Sequence, residues 1–282
     1  MTEPWTPFGL NQAERDTYEV LIDGVPEWLR EPLLAWIRPR LLTARGDVSA
    51  AICLDLQLAT RVDLRVTVGR YVAPETLVNT LRLGIRDVEL LRVVDYLVST
   101  RYGSDYRDAL ETTLSQARSK WTVGQRLGRF GLVERVPAGV QDHVEAVIAS
   151  SSTAGHVLAR AWAYVHGLTA NDSGAYSDAV RAVEIAAISV VQPRHAEATL
   201  GTVLGQMKAD GDWSLPLRQH ADAPSAEMLL MLLRTLWFGH RDRHGSVDYS
   251  DVTHDEARAA VGLAATLVDW FASGAIARRS GA

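Results

Sequence analysis

Cysteine occurs once in the 282-residue chain, at Cys53, and lysine only at Lys120 and Lys208. A single thiol excludes an internal disulfide framework and any Cys-rich zinc site. Arginine therefore carries almost all the positive charge, and a net charge of −5 excludes a wholly basic, histone-like nucleic-acid binder while leaving room for a local basic patch. The start, MTEPWTPFGLNQAERD, lacks the basic opening and apolar run of a secretory signal, so a cytoplasmic setting is expected. No glycine cluster ends in the Gly-Lys-Ser/Thr of a P-loop, and no Ser-centred nucleophile elbow is present. Long apolar runs are scarce too. Only Ala259 to Ala277 approaches a membrane span, but Asp269 lies inside it, on a stripe with Arg258, Gly262, Thr266 and Ser273 at helical spacing. That pattern predicts a core helix and no membrane partner.

What is present is apolar periodicity. With 47% hydrophobic residues the chain can bury one large core or two ordinary ones. The first twenty residues, punctuated by proline, are expected to be extended. From Pro26 the sequence PEWLREPLLAWIRPRLL reads as a helix with Trp28, Leu29, Leu33, Leu34, Ile37 and Leu41 near one face, kinked or divided at Pro32 and Pro39. Between Ala50 and Leu58 an alternating reading competes with a helical one, and the Ala-rich composition favours helix. Further helices are expected over Pro74–Leu83, Asp87–Ser99, Ser104–Lys120, Gln141–Ala149, a segment past Ser152, Ala175–Val191, a short stretch ending at Gly211, and a final helix opened by the capping box Thr253-x-x-Glu256.

Two departures from this pattern stand out. Between Lys120 and Val136, Trp121-Thr122-Val123 and Leu132 to Val136 flank a stretch containing Gly124, Gly128 and Gly131, which predicts a β-hairpin. Arg118, Lys120, Arg126, Arg129 and Arg135 surround it against the single acid Glu134, with Trp121 and Phe130 interleaved. Such a surface can hold phosphates and stack bases, so Arg126, Arg129 and Trp121 are candidate RNA ligands; a plain surface hairpin anchored by its aromatics is the alternative. The second departure is Glu227 to Ser246, EMLLMLLRTLWFGHRDRHGS, where an apolar helix runs into His240, Arg241, Asp242, Arg243 and His244 and meets Gly245. The polar run Ser150 to Thr153 suggests the boundary between a domain of residues 1–149 and one of 150–282.

The runs AYSDAVRAVEIAAISVVQP, ATLGTVLGQM, LLRTLWFGHRDRHG and EARAAVGLAATLVDWFASGA resemble the C-terminal domain of abortive-infection proteins and, more broadly, the HEPN helical-bundle superfamily, over roughly Ala154 to Ala275. The resemblance implies an all-α fold, here with one small hairpin in the N-terminal half, and a homodimer whose composite site cleaves RNA without metal or other cofactor. It also implies toxin–antitoxin or phage-defence biology, with an antitoxin or another protein as partner. The family motif, an Arg followed four to six residues on by a His, is matched by Arg234 with His240, while Arg243-His244-Gly245 resembles the ending seen in the abortive-infection branch.

The residue types suit that chemistry. Metal-free RNA cleavage needs a base for the 2′-hydroxyl, an acid for the leaving 5′-oxygen and positive charge at the phosphate, roles that His and Arg fill. Arg243, His244, Arg234 and His240 are thus the catalytic candidates and Arg241 a further RNA ligand. His244 and Arg243 are expected to matter most, because His240 continues the inward face of Leu229, Leu233, Leu236 and Trp237. Other readings stay open: a charged helix end satisfying its own last carbonyls, or a metal on His240 and His244 with Asp248, Asp251 or His254 as third ligand. Glu184 is expected either to pair with Arg234 or Arg243 or to be an ordinary half-exposed acid. At the level of the whole protein, a non-catalytic RNA- or protein-binding module and a helical assembly protein are the alternatives to a ribonuclease.

Overall fold

The computed structural model describes residues 6–67, 69, 71–100, 103–218, 220–239 and 251–278. The chain is mostly helical, with only short antiparallel strand pairs among the described residues, and it divides into two compact units, Met1–Arg135 and Val136–Ala282.

The first unit opens with α1 (Gln12–Glu19), where an extended segment was expected. Its cause is a capping box: Glu14 N–H donates to the Asn11 side chain and Asn11 N–H to the Glu14 carboxylate. No residue of α1 is buried. α2 (Glu27–Leu41) passes unbroken through both prolines. Pro32, Pro39 and the residues four positions back, Trp28 and Ala35, are all exposed, so water can reach the carbonyls that proline leaves unpaired. Trp28, placed by the sequence on the inward face, is 57% exposed, whereas Leu29, Leu33, Ile37 and Leu41 are fully buried.

α3 (Ala50–Thr60) is the helix chosen over the strand, and it buries Cys53 and Leu56. Its Gln57 side chain accepts from Leu64 N–H and Val66 N–H and donates to the Val66 carbonyl, holding an extended return in which Val62, Leu64 and Val66 alternate inward. α4 (Pro74–Asn79) runs into a π-turn (Thr80–Gly84), and Arg30 ties that turn to α2 through the Leu81 and Arg82 carbonyls and Asp87. α5 (Asp87–Ser99) and α6 (Ser104–Gln116) complete the helices. The hairpin follows as β1 (Trp121–Arg126) and β2 (Arg129–Glu134), with Trp121 opposite Glu134 and Arg126 opposite Arg129. Of its glycines only Gly128 serves the turn, where Leu127 and Gly128 both have positive φ, 51° and 78°. Gly124 and Gly131 instead face each other within the ladder.

In the second unit α7 (Ala138–Ser150), α8 (Ser152–His166) and α9 (Asp172–Val191) share one core with α10 (Leu200–Asp210), β3 (Trp213–Ser214), α11 (Ser225–Gly239) and α12 (His254–Ala272). β4 (Ala277–Arg278) pairs back onto β3. The contacts therefore divide at Arg135/Val136, not at the polar run 150–153. Val144 and Val147 of α7 belong to the second core, Ser151 is buried, and Gly155 lets α8 cross the Ile148 carbonyl at a distance no Cβ would permit. A tight helix corner has the same polar composition as a linker. α12 opens with the expected capping box. It buries Ala257, Val261, Ala264, Val268 and Phe271, and no helix among the described residues is long and apolar enough to cross a membrane.

Candidate functional site

α11 is held by its inward residues Leu229, Leu233 and Leu236, while Met228, Met231 and Phe238 on its outer side are exposed. Its two ends and two sides open on different surroundings. Arg234 is half-buried in a cleft of about 580 Å³ that Lys208, Asp212, Trp213, Glu227 and Leu230 also line. Among the described residues Arg234 has no hydrogen-bond or ion-pair partner. Asp212 in the same cleft is occupied by Arg278 at 2.9 Å, and the Trp213 indole donates to Asp210.

The C-terminal end of α11 lies elsewhere. Thr235, Leu236 and Gly239 border a second cleft of about 320 Å³ together with Tyr176, Asp251, Val252 and Glu256. Helix α11 can seat its last turn there because residue 239 is glycine: a Cβ would fall 2.1 Å from the Tyr176 phenolic oxygen. Burial, and then the negative charge of Glu256, push the Tyr176 phenol above its ordinary pKa, so it stays a neutral hydrogen-bonding group at physiological pH. Glu256 also accepts from Thr253 at the start of α12. Glu256 reads in the sequence as part of a helix cap, and nothing in the spacing of Tyr176 and Glu256 signals a shared cleft.

His240, Arg241, Arg243 and His244 lie outside the described residues, as does Asp248. Gly239 and Asp251, the described residues on either side of that segment, both border the Tyr176 cleft. The structure thus assigns Arg234 and the helix end to different clefts. Glu184, half-buried on α9, pairs with neither Arg234 nor another arginine of the described residues. Its carboxylate accepts from Leu200 N–H at 2.8 Å and caps α10.

The hairpin cations are largely committed within the first unit. Asp95 receives both the Arg126 guanidinium and, at 2.6 Å, the Leu132 N–H; Glu111 receives Arg135 at 2.9 Å, and Lys120 lies between Asp23 and Glu134. Gly131 makes room for this, since a Cβ there would strike Arg126 and Asp95. Trp121 is 8% exposed and presents no stacking face, while Arg129 at the hairpin tip is exposed. The acids responsible come from α5 and α6, which is why the local sequence looked basic.

For metal, the described residues contain no group of His, Cys, Asp and Glu that could hold an ion. His254 faces Asp172, its Nδ1 at 2.9 Å from the carboxylate. No protein-family model matches the chain, and no curated protein or solved structure matches it either.

Proposed function

We propose that the second unit is an endoribonuclease domain of the HEPN type, acting without metal in a defence or toxin role, with its site at the C-terminal end of α11. The observation that supports this reading is that Gly239 and Asp251, the described residues flanking the segment that bears His240, Arg241, Arg243 and His244 in the sequence, border one cleft. Tyr176, mostly buried, and Glu256 line the same cleft. In the proposed reaction His244 takes the 2′-hydroxyl proton and the 2′-oxygen attacks phosphorus. The His244 of a second copy then returns a proton to the leaving 5′-oxygen, and Arg243 stabilises the charge gathering on the phosphoryl oxygens. Arg234 and Lys208, in the other cleft, contribute at most contacts to flanking phosphates. The exposed stripe Met228, Met231 and Phe238 on α11 offers an apolar face for the second copy.

The test is single-turnover cleavage of RNA by the full chain in the presence of a chelator. Cleavage that survives chelation and is lost in His244→Ala supports the reading. A second reading, a non-catalytic HEPN-like module that binds RNA or protein, is favoured by the separation of Arg234 from the helix end. Its signature is RNA or partner binding without cleavage, and induced expression that leaves host growth unchanged.

A further inference from the structure

In the first unit, α1 stands over a cleft of about 810 Å³ whose walls include Tyr18, Val20, Ile22, Trp28 and Arg118. Three observations bear on what this cleft is for. The first is that α1 has only eight residues and buries none of them, and a helix that short does not persist in water on its own. The second is a concentration of apolar surface that a folded domain normally covers: Tyr18 is 40% exposed, Trp28 57% and Val20 62%.

The third is charge. Arg118 lies over the Tyr18 ring, 5.2 Å from its centroid, and donates to the Thr6 hydroxyl at 3.1 Å. Its Nε is buried with no acceptor, and among the described residues it has no carboxylate partner, unlike its neighbours Lys120, Arg126 and Arg135. The residue is held in place by backbone: Arg118 adopts φ 49°, and its carbonyl accepts from Ile22 N–H at 2.8 Å. The other charged side chain lining the cleft, Glu14, is engaged with the Asn11 N–H at the start of α1. A partly desolvated guanidinium with no counter-ion among the described residues, at the edge of an aromatic and aliphatic trough of ligand size, fits a particular kind of molecule.

We propose that this cleft binds a small amphipathic monoanion, a carboxylate on a flat apolar body, with the body between α1 and Trp28 and the carboxylate on Arg118. Occupancy gives α1 a buried face, so ligand binding and the ordering of α1 are one event. The same surface could instead receive a second copy of the chain, and the experiment separates the two.

Naphthalene-2-acetate, its uncharged alcohol analogue naphthalene-2-ethanol, and the full-length chain are compared by titration calorimetry, with hydrogen exchange of the α1 amides followed in parallel. The expected result is saturable binding of the acid at one site per chain, binding of the alcohol about tenfold weaker or worse, and α1 exchange slowed in proportion to occupancy, hence at lower concentrations of the acid than of the alcohol. Arg118→Met, which keeps the aliphatic stem, should remove the preference for acid over alcohol, and Trp28→Ala should weaken both ligands. Unchanged far-UV circular dichroism in each variant establishes that it folds. No saturable binding at millimolar acid, equal affinity for acid and alcohol, or undiminished acid preference in Arg118→Met would each overturn the proposal. So would ligand-free dimerisation, seen by light scattering, that Trp28→Ala abolishes.

Discussion

Removing the Asp95 carboxylate should destabilise the first unit out of proportion to its position beneath a surface hairpin. In the folded chain that side chain accepts from the Leu132 N–H at 2.6 Å and pairs with Arg126, and the two side chains are 22% and 24% exposed. Leu132 itself is fully buried, so in Asp95→Ala its N–H loses its acceptor at a site where water does not easily replace it. A hydrogen bond to a charged group contributes about 1.5–3 kcal/mol. Stranding Arg126 adds less than the loss of a fully buried pair, because water reaches it, and the total comes to about 3 kcal/mol. Asp95→Asn keeps an acceptor for Leu132 and should cost about 1–1.5 kcal/mol, the charge-assisted part alone. Arg126→Met should cost about 1 kcal/mol, with a coupling to Asp95→Ala of about 1–2 kcal/mol in the double-mutant cycle. Urea unfolding of the full chain, with native-state exchange of the Leu132 amide as the local probe, measures each figure. If Arg126 is held for RNA instead, Asp95→Ala should cost little, the cycle should be additive, and RNA affinity should rise as the arginine is freed. A loss below about 0.5 kcal/mol with additive single variants would refute the structural assignment of this pair.

Other expectations follow from the same geometry. Glu184→Ala should lower stability by about 1 kcal/mol through the uncapped Leu200 N–H, as read from thermal melts, without altering RNA cleavage. Gly239→Ala forces its Cβ against the Tyr176 oxygen and should reduce both stability and cleavage, whereas His244→Ala should lose cleavage by about 100-fold or more at unchanged melting temperature. Cys53 is fully buried, and burial lifts its thiol from an ordinary 9.0 to about 11. The unfolded chain therefore ionises first: stability is unaffected below about pH 9 and falls as pH rises from there towards 11, by up to about 3 kcal/mol, while a thiol reagent at pH 8 should react only on unfolding. Limited proteolysis should cut nearer Val136 than Ser151, which is buried; prompt cleavage at 150–153 would restore the boundary suggested by composition.

Helix existence was legible wherever apolar spacing was strong. Asp87–Ser99 matches α5 to the residue, and Thr253-x-x-Glu256 opens α12 as the capping rule requires. Legibility failed where the deciding partner is distant in sequence. The basic hairpin looked available because Asp95 and Glu111 sit on helices before it, and Glu184 could be read only as a partner for arginine or an ordinary half-exposed acid, because the Leu200 N–H it caps is invisible in one dimension. At the start of the chain the prolines pointed to extended backbone, and the Asn11–Glu14 capping box makes a helix there instead. At the candidate site, α11 and its buried leucines were foreseen, yet the opening of Arg234 and Gly239 onto separate clefts depends on Tyr176 and Trp213, which arrive from other elements.

The short pairing of Trp213 with Arg278 ties one wall of a cleft to a distant part of the chain. Trp213 and Asp212 both line the Arg234 cleft, and Arg278 pairs with the first through backbone and with the second through its guanidinium at 2.9 Å. Salt that loosens this exposed ion pair should therefore reshape the wall that Arg234 shares, so affinity measured at that cleft should respond to ionic strength even for an uncharged ligand.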